Sequence, residues 1–119
     1  MIKITIPEIP PSLNKILRMH HHERHAENQK WQALVAYFDN RKKRGEPLSR
    51  AQVTITYYFP DARRRDSDNY AGKFLLDGLV NAGIIEDDSF NHVSLLIAGK
   101  VDRVNPRTEI VVEEDKTDG

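Results

Sequence analysis

Ala51-Gln52-Val53-Thr54-Ile55-Thr56-Tyr57-Tyr58-Phe59-Pro60 is the stretch from which the fold of this 119-residue chain can be read. Val53, Ile55, Tyr57 and Phe59 recur at period two with Thr54, Thr56 and Tyr58 between them, the pattern of a strand with one buried face. Proline cannot donate to a ladder, so Pro60 closes the strand. A charged loop, Asp61 to Asn69, follows, and then an amphipathic helix from about Tyr70 to Ala82, stopped by Gly83. On the helical wheel Gly72, Leu75, Leu76 and Leu79 share a face that would meet the sheet. Lys73, Asp77 and Asn81 lie on the other side, and so do Tyr70 and Phe74. Two aromatics on a polar face point to a partner surface, unless the wheel is a few degrees off and they are core.

Upstream, Ile2, Ile4 and Ile6 alternate with Lys3 and Thr5 as a half-buried strand ended by Pro7 and Pro10-Pro11. Ser12 is placed to cap a short helical turn, Leu13 to Leu17. Met19 to His25 reads as a polar loop carrying four of the five histidines. From about Ala26 to Arg44 the set Trp31, Leu34, Val35 and Phe38 predicts a long helix, with Arg41 to Arg44 in its last turn and Gly45 as its stop. Downstream of Glu86-Asp87-Asp88, Val93 to Val101 and Thr108 to Val112 are runs of branched residues joined by a turn at Asn105-Pro106, which predicts a closing hairpin. The elements run strand, helix, strand, helix, strand, strand. That order makes an α+β (mixed α/β) fold, a single two-layer domain over residues 1–114 with helices packed on a mixed sheet and a disordered tail over 115–119.

Composition narrows the function. The absence of cysteine excludes disulfides, thiolate zinc sites and cysteine nucleophiles. No run approaches the roughly 20 apolar residues of a membrane span, and Met1 to Pro7 lacks the apolar core of a signal peptide, so a cytoplasmic protein is expected. A formal net charge of zero argues against coating nucleic acid by bulk electrostatics. Charge is nevertheless segregated along the chain, with basic runs at Arg41 to Arg44 and Arg63 to Arg65 and an acidic end from Glu113.

The chemistry concentrates in Arg63-Arg64-Arg65-Asp66-Ser67-Asp68-Asn69. In an extended loop, residues two apart point the same way, so Asp66 and Asp68 can aim at one point. Adjacent carboxylates repel unless a cation lies between them; a hard ion such as Mg²⁺ or Mn²⁺ resolves the repulsion, and Asp88 offers a third oxygen donor. Such a site suits phosphodiester hydrolysis, with Lys73 stabilising charge on phosphate and the arginines meeting the backbone. Each piece also has an ordinary structural reading: Asp68 or Asn69 as a helix cap, Lys73 and Asp77 as an i to i+4 pair, and Asp87-Asp88-Ser89 as a turn. A calcium loop is excluded because Tyr70 and Ala71 stand where an oxygen ligand and a glycine are needed.

The combination of Arg63 to Asn69 with Lys73, Asp77-Gly78-Leu79, Ala82-Gly83 and Asp87-Asp88 resembles the signature of the RusA family of Holliday-junction resolvases. Pro10-Pro11-Ser12-Leu13-Asn14 is similar to that family's amino-terminal motif, so the resemblance spans nearly the whole chain. It implies a small homodimeric, Mg²⁺- or Mn²⁺-dependent endodeoxyribonuclease of bacterial or prophage origin that nicks four-way DNA junctions symmetrically. It further implies Asp66, Asp68 and Asp88 as metal carboxylates with Asp87 adjacent, and Lys73 as the catalytic cation. Asn14, Arg18, Arg24, Arg63, Arg64 and Arg65 are the expected DNA contacts, and Tyr70 and Phe74 the candidates for dimer or junction contact. The spacing from Asp68 to Lys73 is one residue longer than in the best-known members. An extra residue inside the helix would rotate Lys73 by about 100°, whereas one in the loop would leave the site intact.

Two other functions remain open: a non-catalytic junction- or DNA-binding module on the same scaffold, and an interaction domain with an incidental acidic cluster. The histidines His20, His21, His22 and His25 have helical spacing that zinc could use, but they do not read as a zinc site, because three consecutive histidines cannot all face one ion and no cysteine or nearby acid pair completes a tetrahedral set. With Arg18 and Arg24 they read as a DNA-backbone contact or a solvated loop.

Overall fold

β2 (Ala51–Phe59) is the strand on which the other elements are laid, and its alternation is complete: Ala51, Val53, Ile55, Tyr57 and Phe59 are all buried. The computed structural model describes residues 1–116. Its remaining elements are β1 (Ile2–Ile6), α1 (Leu13–Arg18), α2 (His21–Phe38), a 3-10 turn (Ser67–Tyr70), α3 (Lys73–Asn81), β3 (Val93–Val101) and β4 (Arg107–Glu114). The sheet order is β1-β4-β2-β3, with β3 parallel to β2 and β4 antiparallel to both β2 and β1. Because strand side chains alternate, this register puts Ile4, Ile110, Ile55 and Ile97 in one row of one face and Ile2, Val112, Val53 and Leu95 in the next. Trp31 and Val35 of α2 and Leu75 and Leu79 of α3 belong to the core built on that face. The opposite face carries Lys3, Thr5, Thr54, Thr56 and Glu109 and, among the described residues, no helix; the fold is thus the two-layer α+β arrangement that the element order implied.

The expected closing hairpin is corrected. β2 lies between β3 and β4, because β2, α3 and β3 form a parallel crossover unit and β4 then returns along the free side of β2. The link spans the end of β2: the Asp102 N–H donates to Phe59 O at 2.8 Å, and Asp102 Oδ1 accepts the N–H groups of Val104 and Asn105. Met19 to His25 is mostly helix, not loop, since α2 starts at His21 behind the N-cap His20. It ends at Phe38, well before Gly45, so Arg41 to Arg44 lie beyond the helix. There Asp39, buried to 6% exposure, takes the guanidiniums of Arg41 and Arg44 at 2.8 and 3.0 Å.

The predicted helix over 70–82 divides in two. The 3-10 turn ends at Tyr70, Gly72 takes a left-handed conformation (φ +79°), and α3 begins at Lys73. A side chain at Gly72 would lie 2.8 Å from Ile55 Cδ1, so the break is enforced by close packing on β2 as well as by φ. On α3 the buried set is Phe74, Leu75, Gly78 and Leu79. Gly78 is the cause: a Cβ there would lie 2.8 Å from Val35 Cγ2, so α2 closes against the Phe74–Gly78 side while Leu76 is only partly buried against the core. Of the tail, Asp115 donates its N–H to Arg50 O at 2.9 Å, and residues 117–119 lie outside the described residues.

Candidate active site

The loop from Asp61 to Asn69 is organised from within. Arg65 is its brace: Nη1 donates to Asp61 O and Arg63 O at 3.1 Å, Nη2 donates to Asp61 Oδ1 at 2.9 Å, and the guanidinium lies 4.2 Å from the Phe59 ring centroid. The Arg63 backbone N–H and the Arg65 guanidinium hold the Asp61 carboxyl below the usual carboxylate range. Arg65 is thus engaged within the loop, with its side chain 18% exposed. Its neighbours Arg63 and Arg64 are 80% and 88% exposed and project into water.

Asp66 stands at the N-cap position of the 3-10 turn without capping it, and Asp68 lies in the first turn. Among the described residues the Asp66 carboxylate has one partner, Arg64 Nε at 3.3 Å, and its side chain remains 61% exposed. Asn69 carries a link that no local pattern predicts: its Oδ1 accepts the backbone N–H of Asn14 at 2.9 Å. The two motifs on which the resemblance rests, 55 residues apart, are thereby joined. Arg18 and Arg24 lie nearby in sequence and are exposed, Arg24 donating to Met19 O at 3.3 Å across the junction between α1 and α2.

Lys73 opens α3 and pairs with Asp77 Oδ2 at 3.7 Å while staying 71% exposed. The irregular residues Ala71 and Gly72 precede the helix, and the four-residue spacing from Lys73 to Asp77 stays within α3. Phe74 is corrected from an outer-face residue to a core residue at 4% exposure. Tyr70 is half-buried, its ring 5.6 Å from that of Tyr57 and 5.2 Å from that of Phe59. Tyr57 itself is 1% exposed; its hydroxyl finds no partner, and burial pushes its pKa up.

Glu86, Asp87 and Asp88 leave an anchored segment. Ile84 and Ile85 are buried, and Leu48 brackets them through its N–H to Ile84 O (3.0 Å) and the Glu86 N–H to Leu48 O (2.9 Å). All three acidic side chains are exposed. Asp66 lines a depression of about 200 Å³ against Ile97, Ala98 and Gly99, and Asp88 lines one of about 700 Å³ against Val93, Ser94 and Leu95. Both carboxylates thus flank the edge strand β3. Among the described residues no three carboxylates bring their oxygens within 4.8 Å of one another; the one group of three that meets that distance is His20, His21 and His22. In donor chemistry Asp66, Asp68, Asp87 and Asp88 fit a hard divalent ion, being exposed oxygen ligands on two loops beside one strand.

Sequence reasoning missed Asn69 and the brace formed by Arg65 and Asp61. The four-residue spacing of Asp61 and Arg65 was the available signal for the second; for the first there was none.

Comparison with known proteins adds two findings. The family model described as endodeoxyribonuclease RusA matches residues 9–113. A crossover junction endodeoxyribonuclease rusA of Enterobacteria phage HK97 is 43% identical over 54 residues, a match covering 44% of this chain and 44% of that relative.

Proposed function

The chain belongs to the RusA family of endodeoxyribonucleases, and on that premise we propose that it is a Mg²⁺- or Mn²⁺-dependent endonuclease that nicks four-way DNA junctions by phosphodiester hydrolysis. The observation that carries the reading is the link from Asn69 Oδ1 to the Asn14 N–H, which ties the amino-terminal motif to the loop bearing two exposed carboxylates. Asp66, Asp68 and Asp88 would hold the ion, with Asp87 beside them. The ion supplies charge to polarise the scissile phosphodiester and to acidify water. The chain supplies the rest. Arg63 and Arg64, exposed at the loop tip, meet the DNA backbone, with Asn14, Arg18 and Arg24 extending that contact along α1 and the start of α2. Lys73 offers its ammonium to the charge developing on phosphate, exchanging its long, exposed pairing with Asp77 for that contact.

Symmetric resolution needs two nicks related by a twofold axis, which a C2 homodimer presents. What supports a dimer is the open edge strand β3 with exposed apolar side chains on or beside it: Phe90 is fully exposed, Leu96 is 52% exposed and Val101 is 47% exposed. The setting inferred is DNA recombination and repair in the bacterial cytoplasm, in a host or a prophage; among the described residues no helix is long and apolar enough to cross a membrane.

The test is nicking of a synthetic four-way junction and a matched linear duplex with Mg²⁺, with Mn²⁺ and with chelator. Symmetric, metal-dependent nicks confined to the junction, lost in Asp68→Asn, are expected. Tight junction binding without cleavage in either metal would make the chain a binding module instead.

A further inference from the structure

The three histidines in a row that follow α1 would ordinarily be unable to face one ion together. Consecutive side chains alternate on a strand and fan by about 100° on a helix, so the objection holds while the backbone keeps one conformation. Here the backbone changes conformation within the run. His20 is extended (φ −60°, ψ 149°) and caps α2, its Nδ1 accepting the His22 N–H at 3.3 Å, whereas His21 and His22 are already helical. His20 therefore folds back over the first turn. Its ring centroid lies 4.4 Å from that of His21 and 5.0 Å from that of His22, and the latter two are 4.0 Å apart. One nitrogen from each ring lies within 4.8 Å of the other two.

We propose that His20, His21 and His22 form a binding site for a late first-row divalent ion of the Zn²⁺ or Co²⁺ class, separate from the carboxylate site. Three imidazoles around a tetrahedral ion, at about 2.0–2.1 Å from it, have nitrogens roughly 3.3 Å apart. From separations within 4.8 Å, a contraction of at most about 1.5 Å reaches that geometry. The side chains are exposed, so rotation about their own torsions supplies it without moving the backbone. The cap occupies Nδ1 of His20, which leaves Nε2 as its ligand atom and lets the helix start survive binding. Ligand type separates the two sites: imidazole nitrogen selects the late transition ions, and the aspartates select Mg²⁺ or Mn²⁺. Water completes the coordination. The positive end of the α2 dipole opposes a cation there, which sets a moderate affinity.

The test uses the untagged full chain, stripped with chelator and held in excess Mg²⁺ so that the aspartates are engaged. Co²⁺ is titrated and its visible d–d absorption followed. A single Co²⁺ per chain with an intensified, low-coordination spectrum, displaced by Zn²⁺, is the expected result. His21→Ala and His22→Ala should each weaken binding by about tenfold or more, and Asp66→Asn should leave it unchanged. Because the substituted histidines are exposed, far-UV circular dichroism is expected to match the parent chain. Absence of the spectrum in the parent chain, indifference to both histidine substitutions, or loss with Asp66→Asn would overturn the proposal. The outcome is independent of whether the chain cleaves junctions.

Discussion

Asp39 with Arg41 and Arg44, and Asp66 with Arg63, Arg64 and Arg65, are near copies in composition and opposites in physical state. The Asp39 side chain is fully buried and receives Arg41 through Nε and Nη2 and Arg44 through Nη1. Asp66 is mostly in water and has one long contact with an arginine that is itself 88% exposed. A carboxylate already enclosed by guanidinium has no lone pairs left for an ion, and a guanidinium so held has little to offer phosphate. The first cluster therefore terminates a helix, and the second is left with unspent valence at the surface. Charge content alone does not distinguish a strut from a site; burial and pairing do.

The largest effect expected from breaking this comparison is at the second cluster. Asp66→Asn or Asp68→Asn should lower the junction-nicking rate by about a thousandfold or more, on the order of 4 kcal/mol in the barrier. Thermal unfolding should move by no more than about 0.5 kcal/mol, because the lost groups support nothing else. Single-turnover nicking and calorimetry on the same preparations check both halves, and a matching loss of stability would show the carboxylates to be structural.

The mirror experiment is Asp39→Ala. Removing an enclosed carboxylate strands Arg41 and takes away the acceptor of its backbone N–H just beyond α2, at a cost of about 2–3 kcal/mol, while nicking per folded molecule stays at the parental level. The pH dependence follows from the same contacts. The hydrogen bonds of Arg41, ahead of the charge of Arg44, hold the Asp39 carboxyl below its ordinary range. A carboxyl whose native pKa is depressed stabilises the fold fully above its unfolded pKa and loses that contribution as pH falls through the native value. The stability gap between parent and Asp39→Asn should accordingly be widest near neutrality and narrow in acid, as urea unfolding across pH would record.

How much of this was legible in the sequence depends on the range of the interaction. β2 and β3 have the bounds that the sequence predicts, Ala51–Phe59 from alternation and Val93–Val101 from a run of apolar, branched residues, because strand patterns are written into a strand's own residues. The strand order was not legible, since the choice between a hairpin and a crossover is made by which edge of β2 is free. Phe74 was misplaced for a similar reason: a wheel shows where apolar residues cluster but not that Gly78 lets a second helix close on the flank. The carboxylates were recognisable as oxygen donors from residue type, yet their arrangement along β3 is tertiary. Arg65 could not be told from Arg63 by identity; the difference is that Arg65 packs on Phe59 and bonds Asp61 at 2.9 Å, whereas the Arg63 guanidinium meets Asp61 only at 3.8 Å.

A smaller effect is expected at the join between the amino-terminal motif and the loop. Asn69→Ala removes the acceptor of the Asn14 N–H, a bond worth about 1 kcal/mol, and loosens the loop that carries Asp66 and Asp68. Nicking should fall about tenfold, in kcat more than in KM, because positioning is lost and contact area is not. Asn69→Asp, which keeps an acceptor at that position, should restore most of it; a variant no better than alanine would remove the bond from the account.

The smallest effects are the most discriminating, because they separate arginines of one tripeptide. Arg63→Ala and Arg64→Ala each delete an exposed cation with no structural duty beyond long, water-facing pairs. Each should weaken junction binding a few-fold and lower the slope of log affinity against log salt by about one, the signature of one phosphate contact released. Arg65→Ala should behave otherwise. Its guanidinium bridges Asp61 and two backbone carbonyls, so its loss frees the loop from Phe59 and reduces nicking and the order of residues 61–69, while the salt slope changes little. Filter binding across a salt series, set beside hydrogen exchange in that loop, would resolve the three. Equal salt slopes for all three variants would return Arg65 to the set of DNA contacts and erase the distinction between paired and unspent charge within this cluster.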